Sequence, residues 1–382
     1  MTTDIFSIKP ASLDEKSESL RLEVREFLHV ELKERPLREK AKSWSAFDAE
    51  FSRKLGRKGW IGMTWPKEYG GHERTAFERY VVVEELLAAS APVAAHWVGD
   101  RQTGPLILRY GSQQMKRSVL PRLASAEIFL CVGLSEPGTG SDLASLRTSA
   151  VRKGRNWVVN GTKLWTSIAH QAHHMVTLVR TGNDGEKRHN GLSQFLIDMR
   201  TPGITVKPVY SMAAEHDFNE VSLVNVEVPH ECLIGQEGDG WTQVGAELAF
   251  ERSGPERYLS SIRLLQEMLD AAPVGSARHA VALGRVVAGY AALRQMSLGI
   301  AGMLSQGENP ALAAALVKDV GTGIEQQMSE ISCDLFDAET ASAGSPLREV
   351  EKYATLYAPT YSIKGGSREI LRGIVARGLE LR

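Results

Sequence analysis

The stretch "WVVNGTKLWTS", Trp157 to Ser167, decides how the rest of the chain is read. β-Branched and aromatic residues dominate it, Asn160-Gly161 interrupts it, and a tryptophan followed by two hydroxyl residues closes it. Asn-Gly between extended runs is a strong hairpin signal, so the stretch predicts strand, tight turn and strand. The same texture continues on both sides in "IFLCVGL", "HHMVTLVR", "LSQFLIDM", "GITVKPVY" and "EVSLVNVEV". Lys153-Gly154, the segment from Thr181 to Gly185, and Pro202-Gly203 punctuate these runs. Residues 126–235 therefore predict a small antiparallel β-barrel or sandwich.

Outside that zone the period changes from two to about 3.6. Residues 1–125 predict a helical domain: Ser12 and Glu15 have capping-box spacing, and Leu20, Val24, Phe27 and Leu28 form an apolar face. "FERYVVVEELLAAS" and "QQMKRSVLPRLAS" continue it, with "WPKEYGG" as a turn-rich break. Residues 236–382 predict a second helical domain, with loops at "SQGENP" and "TASAGSP". The expected class is α+β, mainly α, with a β-domain between two helical halves. Neither half has a clear core of its own, so the two are expected to pack together.

The totals bound the function. A chain of 382 residues, 43% hydrophobic and 24% charged, is long enough for two or three domains. A net charge of −1 argues against a nucleic-acid partner. Cys131, Cys232 and Cys333 are too widely spaced for a disulfide framework or a CxxC metal site, and suit a reducing cytoplasm. The first residues lack the basic and apolar regions of a signal peptide, and no run is long enough to span a membrane. These features predict a cytoplasmic protein that acts on something small.

Four features could carry chemistry. "LSEPGTGSDLASLRT", Leu134 to Thr148, is a compact turn whose main-chain donors could hold a phosphate or the edge of a heterocycle, or simply a surface loop. Trp165 could stack on a planar ring while Thr166 and Ser167 bond its edge, or be a core tryptophan. Gly365 and Gly366 open a helix, as where the backbone must approach something closely. Finally, Trp241, Val244, Leu248, Glu251, Pro255, Tyr258, Ile262, Leu265 and Leu269 recur at helical spacing, every one but Glu251 apolar, aromatic or proline. A carboxylate there is either paired, for example with Arg252 or Arg257, or has a raised pKa suited to a base. Pro255 predicts a kink at Glu251, because a helical proline displaces the carbonyl four residues back. His170, His173 and His174 cluster in "HQAHH", read as turn or surface histidines, and Glu256 and Arg257 read as a solvated face.

Taken in order, "CVGLSEPGTGSD", "NGTKLWTS", "FLIDMRTPGITVKPV" and "EVSLVNVEVPHECLIGQEGDGW" resemble the middle domain of the acyl-CoA dehydrogenase family. "WPKEYGG" and "GPLILRYGSQQMKRSVLPRL" upstream, and "GSREILRGIVARGL" downstream, extend the resemblance over nearly the whole chain. It implies an N-terminal helical domain, a middle β-domain and a C-terminal four-helix bundle, with FAD between the last two. It also implies that Leu134, Ser135, Gly140, Ser141, Trp165, Thr166, Ser167, Ser367, Arg368 and Glu369 contact the flavin. Ser141, Phe250, Arg252, Gly365 and Gly366 would meet an acyl-CoA thioester, whose carbonyl would accept from a backbone N–H near Gly365 or Gly366. "WVGDRQTGP", Trp97 to Pro105, would line the acyl pocket.

Many relatives carry their catalytic glutamate where this chain has Gly365; a branch places it on the earlier helix in an "ER" context, which Glu251-Arg252 fits. The reaction implied is α-proton removal by Glu251 with hydride transfer to FAD, giving a trans-2-enoyl-CoA, with an electron-transfer flavoprotein downstream. Two departures stand out. The family's Gln-x-x-Gly-Gly-x-Gly stretch is replaced by "ISCDLFDAETASAG", and its Arg-x-Phe-Gly segment has only "RHAVALGRVV" as a counterpart. A homodimer, a homotetramer or a heteromer with a sister subunit all fit. A non-catalytic or half-site subunit and an oxygen-using acyl-CoA oxidase are the competing functions.

Overall fold

The computed structural model describes residues 8–182, 188–252, 254–336, 342 and 344–381, apart from the side chains of 248–251. Among the described residues, seven α-helices precede the sheet: α1 (Glu15–Glu31), α2 (Leu37–Lys42), α3 (Ala49–Arg57), α4 (Ala76–Ala88), α5 (Ala94–Val98), α6 (Gly104–Tyr110) and α7 (Gln113–Ala124). The strands are β1 (Leu130–Gly133), β2 (Ser149–Lys153), β3 (Asn156–Lys163), β4 (His174–Arg180), β5 (Leu192–Asp198), β6 (Ile204–Val209), β7 (Phe218–Pro229) and β8 (Leu233–Ile234). Then come α8 (Gly240–Glu251), α9 (Ile262–Ala271), α10 (Ala277–Ser305), α11 (Ala311–Leu335), α12 (Pro346–Tyr361) and α13 (Arg368–Gly378). The helix–β–helix order and the mainly helical α+β class are as expected. Among the described residues, no helix is long and apolar enough to cross a membrane.

The chain forms two compact units, each discontinuous in sequence. One comprises residues 47–73 and 94–248, which is the sheet with α3, α5, α6, α7 and most of α8. The strand order is β6-β7-β3-β2-β4-β5-β8. The sheet is mixed rather than wholly antiparallel, because β1 runs parallel to β4. Side-chain alternation explains why β4 and β5 read as continuous apolar runs. Met175, Val179, Phe195 and Ile197 enter a core with Trp157, Val159 and Val221, whereas Val176 and Leu196 enter another with Leu106, Ile107 and Leu120 of the helices.

The other unit comprises residues 1–46, 74–93 and 249–382, so α1, α2 and α4 share it with the C-terminal helices. A buried charge network joins first and last segments. Arg21 donates to Glu84 at 2.9 Å and also to Glu85, while Arg294 of α10 donates to Glu84 at 2.7 Å. Tyr80 of α4 and Tyr258 bond through their hydroxyls at 2.9 Å. Burying several charges is tolerable because each carboxylate meets more than one donor.

Four local expectations are corrected. Asn160-Gly161 is not a turn: both residues lie inside β3, and the register against β7 shifts between Val159 and Gly161. Such a bulge puts Gly161 at φ +152°, where a Cβ would lie 2.4 Å from Thr148 Oγ1. The actual β2–β3 hairpin turns at Gly154-Arg155, with Lys153 paired to Asn156. Ser12 and Glu15 make no capping box; Asp14 caps α1, its carboxylate accepting from Ser17 N–H at 2.7 Å. The helix expected through Glu251 is broken rather than kinked, since α8 ends there, Pro255–Arg257 forms a separate short turn, and α9 starts at Ile262. The stripe from Trp241 to Leu269 therefore spans two helices, not one face. Glu256 and Arg257 are buried, not solvated. The segment from Thr181 to Gly185 lies outside the described residues at 183–185, and the loop at "TASAGSP" does so at 340, 341 and 343.

Gly161→Ala is expected to destabilise the protein by about 2–4 kcal/mol, from a disfavoured φ plus the Thr148 clash. Urea denaturation followed by circular dichroism checks it; an unchanged midpoint would mean the bulge is not needed.

Candidate active site

In the sheet unit, the two motifs that β2 and β3 separate in the sequence are one piece of structure. Lys163, the last residue of β3, is fully buried. Its Nζ donates to Glu136 Oε1 at 2.8 Å and to the Leu134 carbonyl at 3.2 Å. Glu136 also accepts the N–H groups of Arg147 at 2.7 Å and Thr148 at 2.9 Å, so one carboxylate closes the loop from 136 to 148. Leu164 N–H adds a 2.9 Å bond to the Ser135 carbonyl. Burial lowers the Lys163 pKa to about 8. Desolvation alone would raise Glu136, but the ammonium and its donors together hold it below the ordinary carboxylate value. The pair is therefore ionised at neutral pH.

Within this frame Leu134 and Ser135 are half-buried, and Gly140 and Ser141 are exposed. A Cβ at Gly138 or Gly140 would meet nothing within 4 Å, so neither glycine is explained by contacts inside this chain. The next turn carries Trp165 at φ +61° and Ile168 at φ +52°, both in the left-handed region that non-glycine residues avoid. Trp165 is 56% exposed, whereas Thr166 beside it is buried. The Thr166 hydroxyl has no hydrogen-bond partner among the described residues. An exposed indole next to a buried, unpartnered hydroxyl fits a planar heterocycle with a polar edge, which is what a bound flavin requires. Ser167 is half-buried beside them.

In the helical unit, Glu251 ends α8, and its side chain and that of Phe250 lie outside the described residues. The next residue is informative. Arg252 is buried, and its Nε donates to the Gly365 carbonyl at 2.9 Å. Lys318 of α11, also buried, donates to the Gly366 carbonyl at 3.1 Å. Gly365 and Gly366 sit at φ +69° and +101°, a pair of left-handed residues that glycine alone adopts cheaply. In a trans peptide the C=O and the following N–H point in opposite directions. Tying both carbonyls to cations therefore turns the N–H groups of Gly366 and Ser367 the other way. Ser367 occupies the N-cap position of α13 without a side-chain capping bond, its hydrogen bond to the exposed Glu369 carboxylate helps to lower that group's pKa, and Arg368 is held by Asp319 of α11 at 2.8 Å.

The sequence reading missed Glu136, Lys163, Lys318, Thr322 and Glu325. Lys163 had a signal: it shares its face with Trp157 and Val159, and an inward-facing lysine demands an acid. The α11 residues lie at i, i+4 and i+7, a polar seam along an otherwise apolar helix face. Thr322 donates to the Tyr361 carbonyl at 3.3 Å, and Glu325 accepts from Ser260 N–H at 2.8 Å. Complete burial raises the Glu325 pKa. His170, His173 and His174 do not converge on one point: His173 accepts from Phe129 N–H at 3.0 Å, while His170 contacts Asn219.

Comparison with known proteins bears on the family and the fold. The profile of the acyl-CoA dehydrogenase N-terminal domain matches residues 14–127, and that of the middle domain matches residues 131–226. The acyl-CoA dehydrogenase IpdE1 of Mycobacterium tuberculosis is 32% identical over 336 residues, covering 85% of this chain and 86% of the relative. The glutaryl-CoA dehydrogenase of Desulfococcus multivorans is 28% identical, over 96% of both chains. Among solved structures, the ChsE4–ChsE5 complex from Mycobacterium tuberculosis superposes with a TM-score of 0.84 at 30% identity, covering 98% of this chain and 99% of that one. The steroid acyl-CoA dehydrogenase Tcur3481–Tcur3483 gives 0.84 at 26% identity over 99% of each.

Lys163→Met leaves Glu136 buried without its cation and is expected to cost about 3–5 kcal/mol in urea denaturation. The pH dependence has a definite sign. Because the native Glu136 pKa is lowered, its contribution is fully present above the ordinary value of 4.5 and is lost as pH falls through the lower native value. Lys163→Met should weaken this acid-side loss; an unaltered acid limb would contradict the ion pair.

Proposed function

The chain belongs to the acyl-CoA dehydrogenase family of oxidoreductases, and from that premise we propose that it oxidises an acyl-CoA thioester to the trans-2-enoyl-CoA. Glu251 is the general base that takes the α-proton, and the β-hydrogen leaves as hydride. FAD, when bound, is the hydride acceptor and supplies the redox chemistry. Trp165 would face its ring system, and the Thr166 hydroxyl would find there the partner it lacks within the chain. Leu134, Ser135, Gly140, Ser141 and Ser167 would complete the cofactor contacts of the sheet unit, and Ser367, Arg368 and Glu369 are the residues of the helical unit proposed to contact FAD.

The observation that carries the reading is the Arg252–Gly365 hydrogen bond. It fastens the end of α8, and with it the backbone of Glu251, to the loop where other family members keep their base. A glycine at 365 and a glutamate at 251 are thus alternatives within one local structure. Gly365 and Gly366, held through their carbonyls by Arg252 and Lys318, leave main-chain donors for the thioester oxygen. A donor there stabilises negative charge developing on that oxygen and so acidifies the α-carbon. Phe250 and Arg252 would border the substrate, and Ser141 would approach its thioester.

An electron-transfer flavoprotein is the proposed acceptor of the electrons. A second reading, a half-site subunit working with a sister chain, is favoured by one feature: "ISCDLFDAETASAG" stands where relatives carry the glycines that bind a neighbouring subunit's FAD. Similar solved structures named as pairs, ChsE4–ChsE5 and Tcur3481–Tcur3483, are consistent with it.

Glu251→Gln is expected to retain bound FAD and to lose at least about 100-fold in the rate of substrate-dependent flavin bleaching, within the range of general-base contributions. Bleaching at the wild-type rate would remove Glu251 from this role. Peroxide formed stoichiometrically with substrate in air would replace the dehydrogenase by the oxidase.

A further inference from the structure

The strained turn from Trp165 to Ile168 is clamped from one direction by the segment preceding and opening β7. Thr166 N–H donates to the Asn219 carbonyl at 3.1 Å, and Ile168 N–H to the Asp217 carbonyl at 3.0 Å. The Asn219 side chain, fully buried, returns a bond from Nδ2 to the Thr166 carbonyl at 2.9 Å. Two left-handed residues in four cost on the order of 1–3 kcal/mol each, so the turn persists only because such bonds over-determine it. Asn219 is the centre of the clamp, and its orientation is set from behind.

Two histidines set it. His170 Nδ1 lies 3.2 Å and His216 Nε2 2.8 Å from Asn219 Oδ1. Because Nδ2 is committed to the Thr166 carbonyl, Oδ1 must be an acceptor, so both ring nitrogens carry their hydrogens there. The two rings stack at 3.8 Å with a 17° interplanar angle. Gln171 Nε2 stands 3.0 Å from His170 Nε2, which fits a neutral ring that accepts at that nitrogen. The network is thus complete with both rings uncharged.

We propose that His170 and His216 are positioning residues: through Asn219 they lock the Trp165–Ile168 turn in the one conformation that presents Trp165 and the Thr166 hydroxyl to the flavin. The flavin role rests on the reading above, but the lock itself is a property of the chain without cofactor. Protonation opposes the lock, because a second hydrogen on His170 meets the Gln171 amide and a charged ring faces its stacked neighbour. Groups facing the pair include each other, Asn219, Gln171 and the Tyr210 ring at 5.6 Å from His216. Glu215 and Asp217 flank His216 in the chain. Partial desolvation, with the His216 ring next, lowers the His170 pKa below its ordinary value of 6.5. The lock is therefore set above that pH and strained as pH falls below it.

The test pairs removal with isosteric replacement. An asparagine at 170 places an amide donor where Nδ1 was, and a glutamine at 216 places one where Nε2 was. Hydrogen exchange of the Thr166 and Ile168 amides is followed by mass spectrometry in the apoprotein, and FAD affinity by titration of the same variants. His170→Leu and His216→Leu should each speed exchange at these amides at least tenfold and weaken FAD several-fold. The double variant His170→Asn/His216→Gln should keep the amides protected, and, unlike wild type, keep them equally protected from pH 7.5 down to 5.5. Unchanged protection in both leucine variants, or failure of the amide pair to restore it, overturns the lock. Normal loss and rescue of protection with no FAD binding by any form would instead overturn the cofactor assignment.

Discussion

A lysine ammonium buried at the end of a β-strand needs a fixed acid, and Lys163 obtains one from a loop some thirty residues earlier. The cost of burying the charge is offset only because Glu136 comes to it, and Glu136 comes already bonded to two backbone N–H groups of its own loop. The placement of the 134–148 loop in the sheet unit's candidate site follows from that junction. It holds the 134–148 loop at the end of β3 and starts the turn that carries Trp165 at a defined point, which the bonds from Asn219 and Asp217 then hold. Gly133 makes room for it, since a Cβ there would lie 3.1 Å from Lys163 Cγ.

The helical unit applies the same chemistry with the roles exchanged. There the buried cations Arg252 and Lys318 donate to the Gly365 and Gly366 carbonyls, and what those bonds fix is peptide orientation. A double-glycine loop is soft, because glycine restricts neither φ nor ψ. Two charge-assisted bonds to successive carbonyls remove that softness and commit the intervening N–H groups to one direction. The broken helix at 251 belongs to the same design. Arg252 leaves the helical spiral, and so is free to reach Gly365, because α8 ends one residue earlier.

Much of this was legible in the sequence, and the failures have physical causes. Element order and class follow from hydrophobic period, which long segments report well. The order and identity of the "SEPGTG", "LWTS" and "GSREILRG" segments carried the family. Asn160-Gly161 misled because the same dipeptide that makes a tight turn also relieves a bulge, and only the Thr148 contact decides between them. The stripe through Glu251 misled because apolar spacing continues across a break when both helices bury residues. Glu256 and Arg257 looked solvated because burial of a charge depends on partners distant in sequence. Lys163 and Glu136 were in the quoted motifs all along, but glycines and hydroxyls drew attention to a ligand while the ion pair that shapes their loop went unread. The histidine pair on Asn219 had no sequence signal, since stacking of residues 170 and 216 is a product of the fold.

The central claim is that this chain itself binds a flavin and uses it to dehydrogenate an acyl thioester. The most direct measurement is the absorbance of the chain purified alone, titrated anaerobically with straight, branched and steroid side-chain acyl-CoA thioesters, with the product analysed by mass spectrometry. The account predicts a flavin-containing protein that at least one class bleaches, one thioester per flavin, with a product two hydrogens lighter. A chain that carries flavin but is bleached by none of them, or that takes up no flavin at all, would contradict it.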